Sequence, residues 1–397
     1  MSSPILISLP RSKSIVIRCL IVNYLKNKTL LSIFENDPND IKVVYNALKI
    51  IDSQTKTPVA KECVVDVQDC GAAYRFLMAV LAVTKGKWIL TGTPHLLQRP
   101  ILPLVNFLNA KGAKIERIEL GWCIEGTALK IDDFEIDTSE TSQYVSAVMI
   151  LGVPEGRGSL YVNPYIRMTE AILKTQNLPT SRILALADWS AAVFWIANAL
   201  LVPNAHYLLK DLHFDGLQGD AKIVPWFEKW GLHFVENKNG IEVKHIHSVK
   251  IFKQKIDVAQ TPDIAMTLGV LSVCYPFELT MSGLKNLNLK ESNRLDILVN
   301  ELSKFTKIKK HSNDVITIHK RKEALPKQFH FDSYNDHRFV MAWSLFINFG
   351  MLEVDNSECV RKSYPEFIET LRSFLFLLLP EAKKENPVKW RFPLFRN

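Results

Sequence analysis

Cysteine is scarce and scattered. The chain has six in 397 residues, Cys19, Cys63, Cys70, Cys123, Cys274 and Cys359, and none forms a CxxC pair. That argues against a zinc ribbon, a thioredoxin-type redox pair or a disulfide framework. With no leader pattern at the start, we expect reduced thiols in a cytoplasmic protein. Long apolar runs are also missing. The richest, WSAAVFWIANALLV over 189–202, is too short to span a bilayer and contains Asn198, so it reads as a buried helix and we expect no membrane partner. There are no long Lys/Arg runs. The formal charge of +8 is modest for this length, and the most basic stretches, KIKKH (307–311) and KKENPVKWRFPLFRN (383–397), read as solvated surface. We therefore expect no nucleic-acid partner. HExxH and a nucleophile elbow are lacking too, which leaves no signature of a zinc peptidase or an α/β-hydrolase.

Against these absences stands an ordinary globular composition, 47% hydrophobic and 23% charged, in a chain long enough for two domains. Its apolar residues recur in a repeated unit, a helix with period 3.6 followed by a break and β-branched residues. Copies begin at Val43 (VVYNALKII), Ile101 (ILPLVNFLNAKGAKIERI), Tyr165 (YIRMTEAILKT), Lys222 (KIVPWFEKWGLHFVE), Arg294 (RLDILVNELSKFTKIKK) and Phe367 (FIETLRSFLFLLL). A second apolar helix precedes many of them, for example AAYRFLMAVLAV and DIAMTLGVLSVC. The spacing of roughly 60–70 residues is too long for a solenoid and suits a small α/β subdomain. Such repetition predicts two three-unit domains with a cleft between them, where a small-molecule site is expected. The copy near 165–186 is short, with QNLPTSRILAL leaving too little chain for a hairpin and a linker.

Polar clusters sit at the starts of these helices. The first is LPRSKSIVIR (9–18), where a Ser-Lys-Ser precedes an apolar helix; a Ser N-cap is the plain reading, an anion site the functional one. Others are DCGAAYR (69–75), TSQ (141–143), DWS (188–190), PD (262–263), KESNR (290–294) and YNDHR (334–338). Together they bring cations to helix N-termini, where the macrodipole disfavours them, and that placement suggests bound anions.

With these motifs in hand, the chain resembles the 5-enolpyruvylshikimate-3-phosphate synthase family over nearly its whole length. PRSKSIVIR, QRPI, TSQY, QGD, TPDIAMT, LKESNRL and YNDHRFVMAWSL occur in the family's order. The resemblance implies an α/β fold of two domains, an inverse α/β barrel built from βαβαββ units around buried helices, one unit here being shortened. The domains implied are 12–187, on the shikimate-phosphate side, and 1–11 with 188–397, carrying much of the phosphoenolpyruvate site, with crossovers near 10–12 and 187–188 and the active site in the cleft. The implied reaction transfers the enolpyruvyl group of phosphoenolpyruvate to the 5-hydroxyl of shikimate 3-phosphate by addition and elimination, with no metal and no other cofactor. We expect a monomer.

Position by position, the resemblance implies that Lys13, Ser14, Arg18, Thr141, Ser142, Gln143, Tyr165, Asp263, Asn286 and Lys290 bind shikimate 3-phosphate. It assigns Lys13, Gly71, Arg75, Arg99, Gln143, Arg294, Arg338 and Lys362 to phosphoenolpyruvate. Asp263 is the implied proton acceptor, with Glu291 and Lys13 handling protons at the enolpyruvyl carbons. Four positions depart from the pattern: Arg11 stands for a glycine, Asp69 for an asparagine, Ala72 for a threonine and Val162 for a serine. Two alternatives stay open on the sequence. One is a degenerate paralogue that binds without turnover. The other is the related transferase acting on UDP-N-acetylglucosamine, with Cys70 or Cys123 as its cysteine.

Overall fold

The structure is a computed structural model that describes residues 3–57, 62–131, 136–152, 163–174 and 181–378. Val162, much of the shortened copy and the basic C-terminal tail lie outside the described residues. The chain divides into two compact units, residues 12–185 and residues 1–11 with 186–397.

In the unit of residues 12–185, strands Cys63–Asp66, Gly86–Thr91, Lys114–Ile118 and Gly121–Gly126 form a four-stranded sheet. The first two strands pair in parallel around the crossover helix Gly71–Val83. The last two form an antiparallel hairpin, inserted so that Gly121–Gly126 pairs with Gly86–Thr91. This is a βαβαββ unit, its second helix being Leu102–Ala110. GAAYRFLMAVLAV is apolar on almost every face, and the helix is buried nearly all round. Helix Lys13–Asn27 is buried from Ile15 to Tyr24 and packs on helices Asn39–Lys56 and Pro164–Lys174. Helix Gln143–Met149 packs between Gly71–Val83 and Pro164–Lys174.

The other unit repeats the same wiring. Strands Ile5–Ile7, His206–Lys210, Leu232–Asn237 and Gly240–His245 make one sheet, and Lys253–Asp257, Glu278–Ser282, Ile308–Lys310 and Ile316–Ile318 make a second. In each sheet a parallel pair is followed by an inserted antiparallel hairpin. A third copy contributes the parallel pair Gln328–Asp332 and Met351–Asp355. The three crossover helices, Trp189–Leu201, Ala265–Cys274 and His337–Trp343, pack against one another in the core. Their sequences carry apolar residues on all sides, so the only stable place for them is inside. The chain leaves this unit after Arg11 and re-enters at Leu186; there Arg11 bridges Ala187, and Asp188 N donates to the Pro10 carbonyl at 3.0 Å.

Among the described residues no helix is long and apolar enough to cross a membrane.

Candidate active site

Parallel wiring points the three core helices of the unit formed by residues 1–11 and 186–397 the same way, and each begins at an aspartate. Asp188 caps Trp189–Leu201, its Oδ1 accepting from Ala191 N at 3.0 Å. Asp336 caps His337–Trp343 and accepts from Arg338 N at 2.9 Å. Asp263 sits in the 3-10 turn Pro262–Ile264 that leads into Ala265–Cys274. Helix N-termini favour such anions, and their convergence gathers the carboxylates into one cluster.

Two arginines bind this cluster together. Arg294, 1% exposed, uses its whole fork: Nε donates to Asp336 Oδ2 at 2.7 Å, Nη1 to Asp263 Oδ1 at 2.9 Å and Nη2 to Glu291 Oε2 at 2.7 Å. Arg338 Nη2 donates to the second oxygen of Asp263 at 3.1 Å, while its Nε and Nη1 are buried with no hydrogen-bond partner among the described residues. Ser292 Oγ adds a donor to Asp336 at 3.0 Å. Burial works against a charged Asp263, but Arg338, Lys290 and Arg294 outweigh it and hold the carboxyl well below its usual range. For Arg294 burial opposes the cation, and the charges of Asp336, Glu291 and Asp263 overcome that and raise its proton affinity.

Cations at the helix starts suggested an external counter-anion, yet Arg294 is answered from within by three carboxylates. Arg338 keeps two buried N–H edges without a hydrogen-bond partner among the described residues. Lys362 ends the 3-10 turn Ser357–Lys362, and Asn286 and Lys290 flank the turn Leu287–Leu289; all three are half-buried.

The unit of residues 12–185 follows the same logic with cations. Lys13 is the first residue of its helix and pairs with Asp40 Oδ2 at 2.9 Å, Asp40 itself lying in the first turn of Asn39–Lys56. Ser12 occupies the N-cap position without capping; its hydroxyl is buried and has no partner among the described residues. The cap reading of that motif therefore fails at the side chain. Cys70 caps Gly71–Val83, its Sγ accepting from Ala73 N at 3.4 Å.

Arg75, one turn into that helix, is held by the Gly71 and Pro100 carbonyls and donates to Gln143 Oε1 at 2.9 Å. Gly71 lies between two guanidiniums: a Cβ there would stand 2.6 Å from Arg99 Nη1 and 3.1 Å from Arg75 Nη1. Only glycine lets both cations close on this backbone. The structure thus brings Gly71, Arg75, Arg99 and Gln143 together. Thr141 Oγ1 accepts from Gln143 N at 3.2 Å, and Ser142 stands at the N-cap position of Gln143–Met149.

Arg18 is buried in the same unit, with Nε on Thr169 Oγ1 at 2.7 Å, Nη1 on the Ser14 carbonyl at 2.8 Å and its guanidinium over the Phe76 ring. Burial lowers its pKa to about 10, against the opposing influence of Tyr165. Thr169 also lies 2.9 Å from Ser146 Oγ and from the Tyr165 carbonyl.

Sequence reasoning missed Asp40 and Thr169 as partners of these cations, and Ser146 as the partner of Thr169. Thr169 was recoverable as the i+4 neighbour of Tyr165, whereas Asp40 carried no local signal. Asp69, the charge that replaces an asparagine, has local partners of its own in Thr93 Oγ1 at 3.2 Å and His95 Nδ1 at 3.5 Å. Ala72 is the second residue of the Gly71–Val83 helix. Cys70 is fully buried at the N-cap position of Gly71–Val83, and Cys123 lies within the strand Gly121–Gly126.

Comparison with known proteins places the chain in a family. The sequence model of the family described as EPSP synthase (3-phosphoshikimate 1-carboxyvinyltransferase) matches residues 39–371. A 3-phosphoshikimate 1-carboxyvinyltransferase of Bacteroides fragilis is 30% identical, over 92% of this chain and 94% of its own length. That of Methanospirillum hungatei is 26% identical, over 92% and 94%. Among solved structures, EPSP synthase from Acinetobacter baumannii superposes with a TM-score of 0.64 at 18% identity, covering 93% of this chain and 95% of that one. The enolpyruvyl transferase NikO from Streptomyces tendae gives 0.62 at 12%, covering 94% of each; at these identities the likeness concerns the fold, a two-domain inverse α/β barrel. The family match over most of the chain and the full-length relatives lead to one conclusion: this chain belongs to the EPSP synthase family.

Proposed function

We propose that the chain is a 3-phosphoshikimate 1-carboxyvinyltransferase, moving the enolpyruvyl group of phosphoenolpyruvate onto the 5-hydroxyl of shikimate 3-phosphate and releasing phosphate. The observation that carries the reading is the Asp263 carboxylate held between Arg294 and Arg338, at 2.9 and 3.1 Å, inside the family's own motifs. Both substrates are polyanions, and arginine forks suit carboxylate and phosphate while lysine supplies a mobile charge.

A carboxylate tied to two guanidiniums is a weak base, and that is its state here. Phosphoenolpyruvate would change it. Its negative charge competes for Arg338, weakens that cation's hold on Asp263 and raises the carboxyl's proton affinity, so that arrival of one substrate prepares the base for the other.

Asp263 then accepts the 5-hydroxyl proton as the oxygen bonds to C2 of phosphoenolpyruvate and C3 gains a proton. Elimination reverses the sense: C3 loses a proton, the C2–O bond to phosphate breaks and the double bond re-forms. Glu291 and Lys13 are the groups assigned to the C3 proton. Each general acid–base step is typically worth about 10²–10⁴-fold. Arg75, Arg99 and Gln143, gathered at Gly71, are assigned to phosphoenolpyruvate, and Arg18 with Ser14, Thr141, Ser142 and Tyr165 to shikimate 3-phosphate.

A paralogue without turnover would shed such groups, whereas Lys13, Asp263, Glu291, Arg338 and Lys362 are all present, with Asp263, Glu291 and Arg338 linked through the ion pairs around Arg294. The test is phosphate release from phosphoenolpyruvate, with shikimate 3-phosphate or UDP-N-acetylglucosamine as co-substrate. Release with shikimate 3-phosphate alone supports the reading. Release with the sugar nucleotide alone, or with neither, overturns it.

A further inference from the structure

The segment after strand His206–Lys210 is fastened to the place where the chain re-enters its unit. Gln218 Nε2 donates to the Ala187 carbonyl at 2.9 Å and to Asp215 Oδ2 at 2.7 Å, and its Oε1 accepts from Trp189 N at 3.1 Å. Asp215 Oδ1 accepts from Leu217 N and Gln218 N. Two residues on, the 3-10 turn Gly219–Ile223 holds Asp220, 6% exposed, with Oδ1 buried and without a partner among the described residues. An ionised carboxylate with an unbonded oxygen in so dry a place is costly.

The groups that face it deepen that cost. Asp188 and Asp263 bring negative charge from the starts of two core helices, Ser190 offers a hydroxyl and Arg338 a cation. Burial first, then Asp263 and Asp188, push the Asp220 carboxyl up to about 7, with Arg338 and Ser190 pulling the other way. Arg338 feels Asp263, Asp188 and Asp220 alike, yet bonds only Asp263 among the described residues. Lys290, Arg294 and Arg338 thus stand among Asp188, Asp220, Asp263, Glu291 and Asp336, a poor setting for an anionic substrate if every carboxyl is charged.

We propose that Asp220 is a positioning residue that binds a proton together with phosphoenolpyruvate, so that the buried edges of Arg338 remain available to the anion. The proposal rests on the assignment of Arg338 to phosphoenolpyruvate made above. An ionised Asp220 competes for Arg338 and repels the ligand; a protonated one does neither. The ligand's charge in turn raises Asp220's proton affinity, so binding and protonation are linked.

The test is calorimetric titration of the protein with phosphoenolpyruvate alone, between pH 6.5 and 8.5, in buffers of different ionisation enthalpy, for the parent chain and Asp220→Asn. Asparagine matches the shape of the protonated acid and cannot titrate. The parent chain takes up to about one proton more per ligand bound than the variant, and above pH 7 its affinity falls by up to about tenfold per pH unit relative to the variant. The ligand's own phosphate titrates in both proteins and cancels in the comparison.

Equal proton uptake with parallel affinity curves overturns this proposal alone. Failure of phosphoenolpyruvate to bind the parent chain overturns the assignment of the site and this proposal with it. Should Asp220→Asn not fold, carbon-13 spectra of the parent chain labelled at aspartate carboxyls decide: no buried carboxyl titrating between pH 6 and 8 overturns the proposal.

Discussion

Asp336 receives Arg294 side-on, with Nε 2.7 Å from one carboxylate oxygen and Nη2 3.2 Å from the other, both side chains being closed to solvent. That bidentate pair fixes the guanidinium plane, and the plane decides that Nη1 meets Asp263 and the remaining Nη2 edge meets Glu291. Asp336 therefore orders the two carboxylates assigned to proton transfer without being assigned a proton itself.

Removing Asp336 leaves a buried cation short of a partner. Asp336→Ala is expected to lower stability by about 3–5 kcal/mol in denaturant titrations, because breaking one side of a buried ion pair strands the other. A loss below 1 kcal/mol would show that the pair is dispensable.

Gly71 sets the approach of two cations. In Gly71→Ala the new methyl would lie 2.6 Å from Arg99 Nη1, so that guanidinium must move away. We expect KM for phosphoenolpyruvate to rise about tenfold while KM for shikimate 3-phosphate changes little, an effect of about 1.4 kcal/mol confined to one ligand. Equal effects on both substrates would contradict the placement of Arg99.

Lys13 and Asp263 should separate binding from turnover. Lys13→Ala is expected to weaken affinity for both substrates. Asp263→Ala is expected to keep binding and lower kcat by about 10²–10⁴-fold, the range for loss of a general base. Undiminished turnover by the Asp263 variant removes that assignment.

The half-buried Asp263 and the buried Asp220 should leave opposite marks on stability against pH. Asp263 has a depressed carboxyl pKa, so its contribution is present above the unfolded value and lost as pH falls through its low folded value. Asp220 is raised to about 7, so its relative contribution is present below the unfolded value of about 3.9 and lost as pH rises to about 7. Asp220→Asn should therefore raise Tm at pH 8 relative to the parent chain, with the gain shrinking toward pH 4. An unchanged difference across that range would contradict the direction assigned to Asp220.

Much of this architecture was legible because the code for it is repetitive. The crossover helices are apolar on all faces, a pattern that admits only a buried position, and they open with Asp188, Asp336 or the turn bearing Asp263. The cations were legible as residue types at helix starts. Their partners were not, since Asp40 reaches Lys13, and Asp336 reaches Arg294, across separations that no local pattern encodes. The same limit hid the state of Arg294. From the sequence it is a cation awaiting an anion; in the fold three carboxylates have already met it. Ser12 shows the converse, a residue with the right type and place for a cap whose hydroxyl makes none.

The most direct test follows the phosphorus of both substrates together. Phosphorus-31 spectra of the protein mixed with equimolar phosphoenolpyruvate and shikimate 3-phosphate should show the phosphoenolpyruvate signal replaced by inorganic phosphate, and the shikimate 3-phosphate signal replaced one for one by that of its enolpyruvyl ether. Spectra in which both substrates persist unchanged beside a folded protein would contradict the account at its centre.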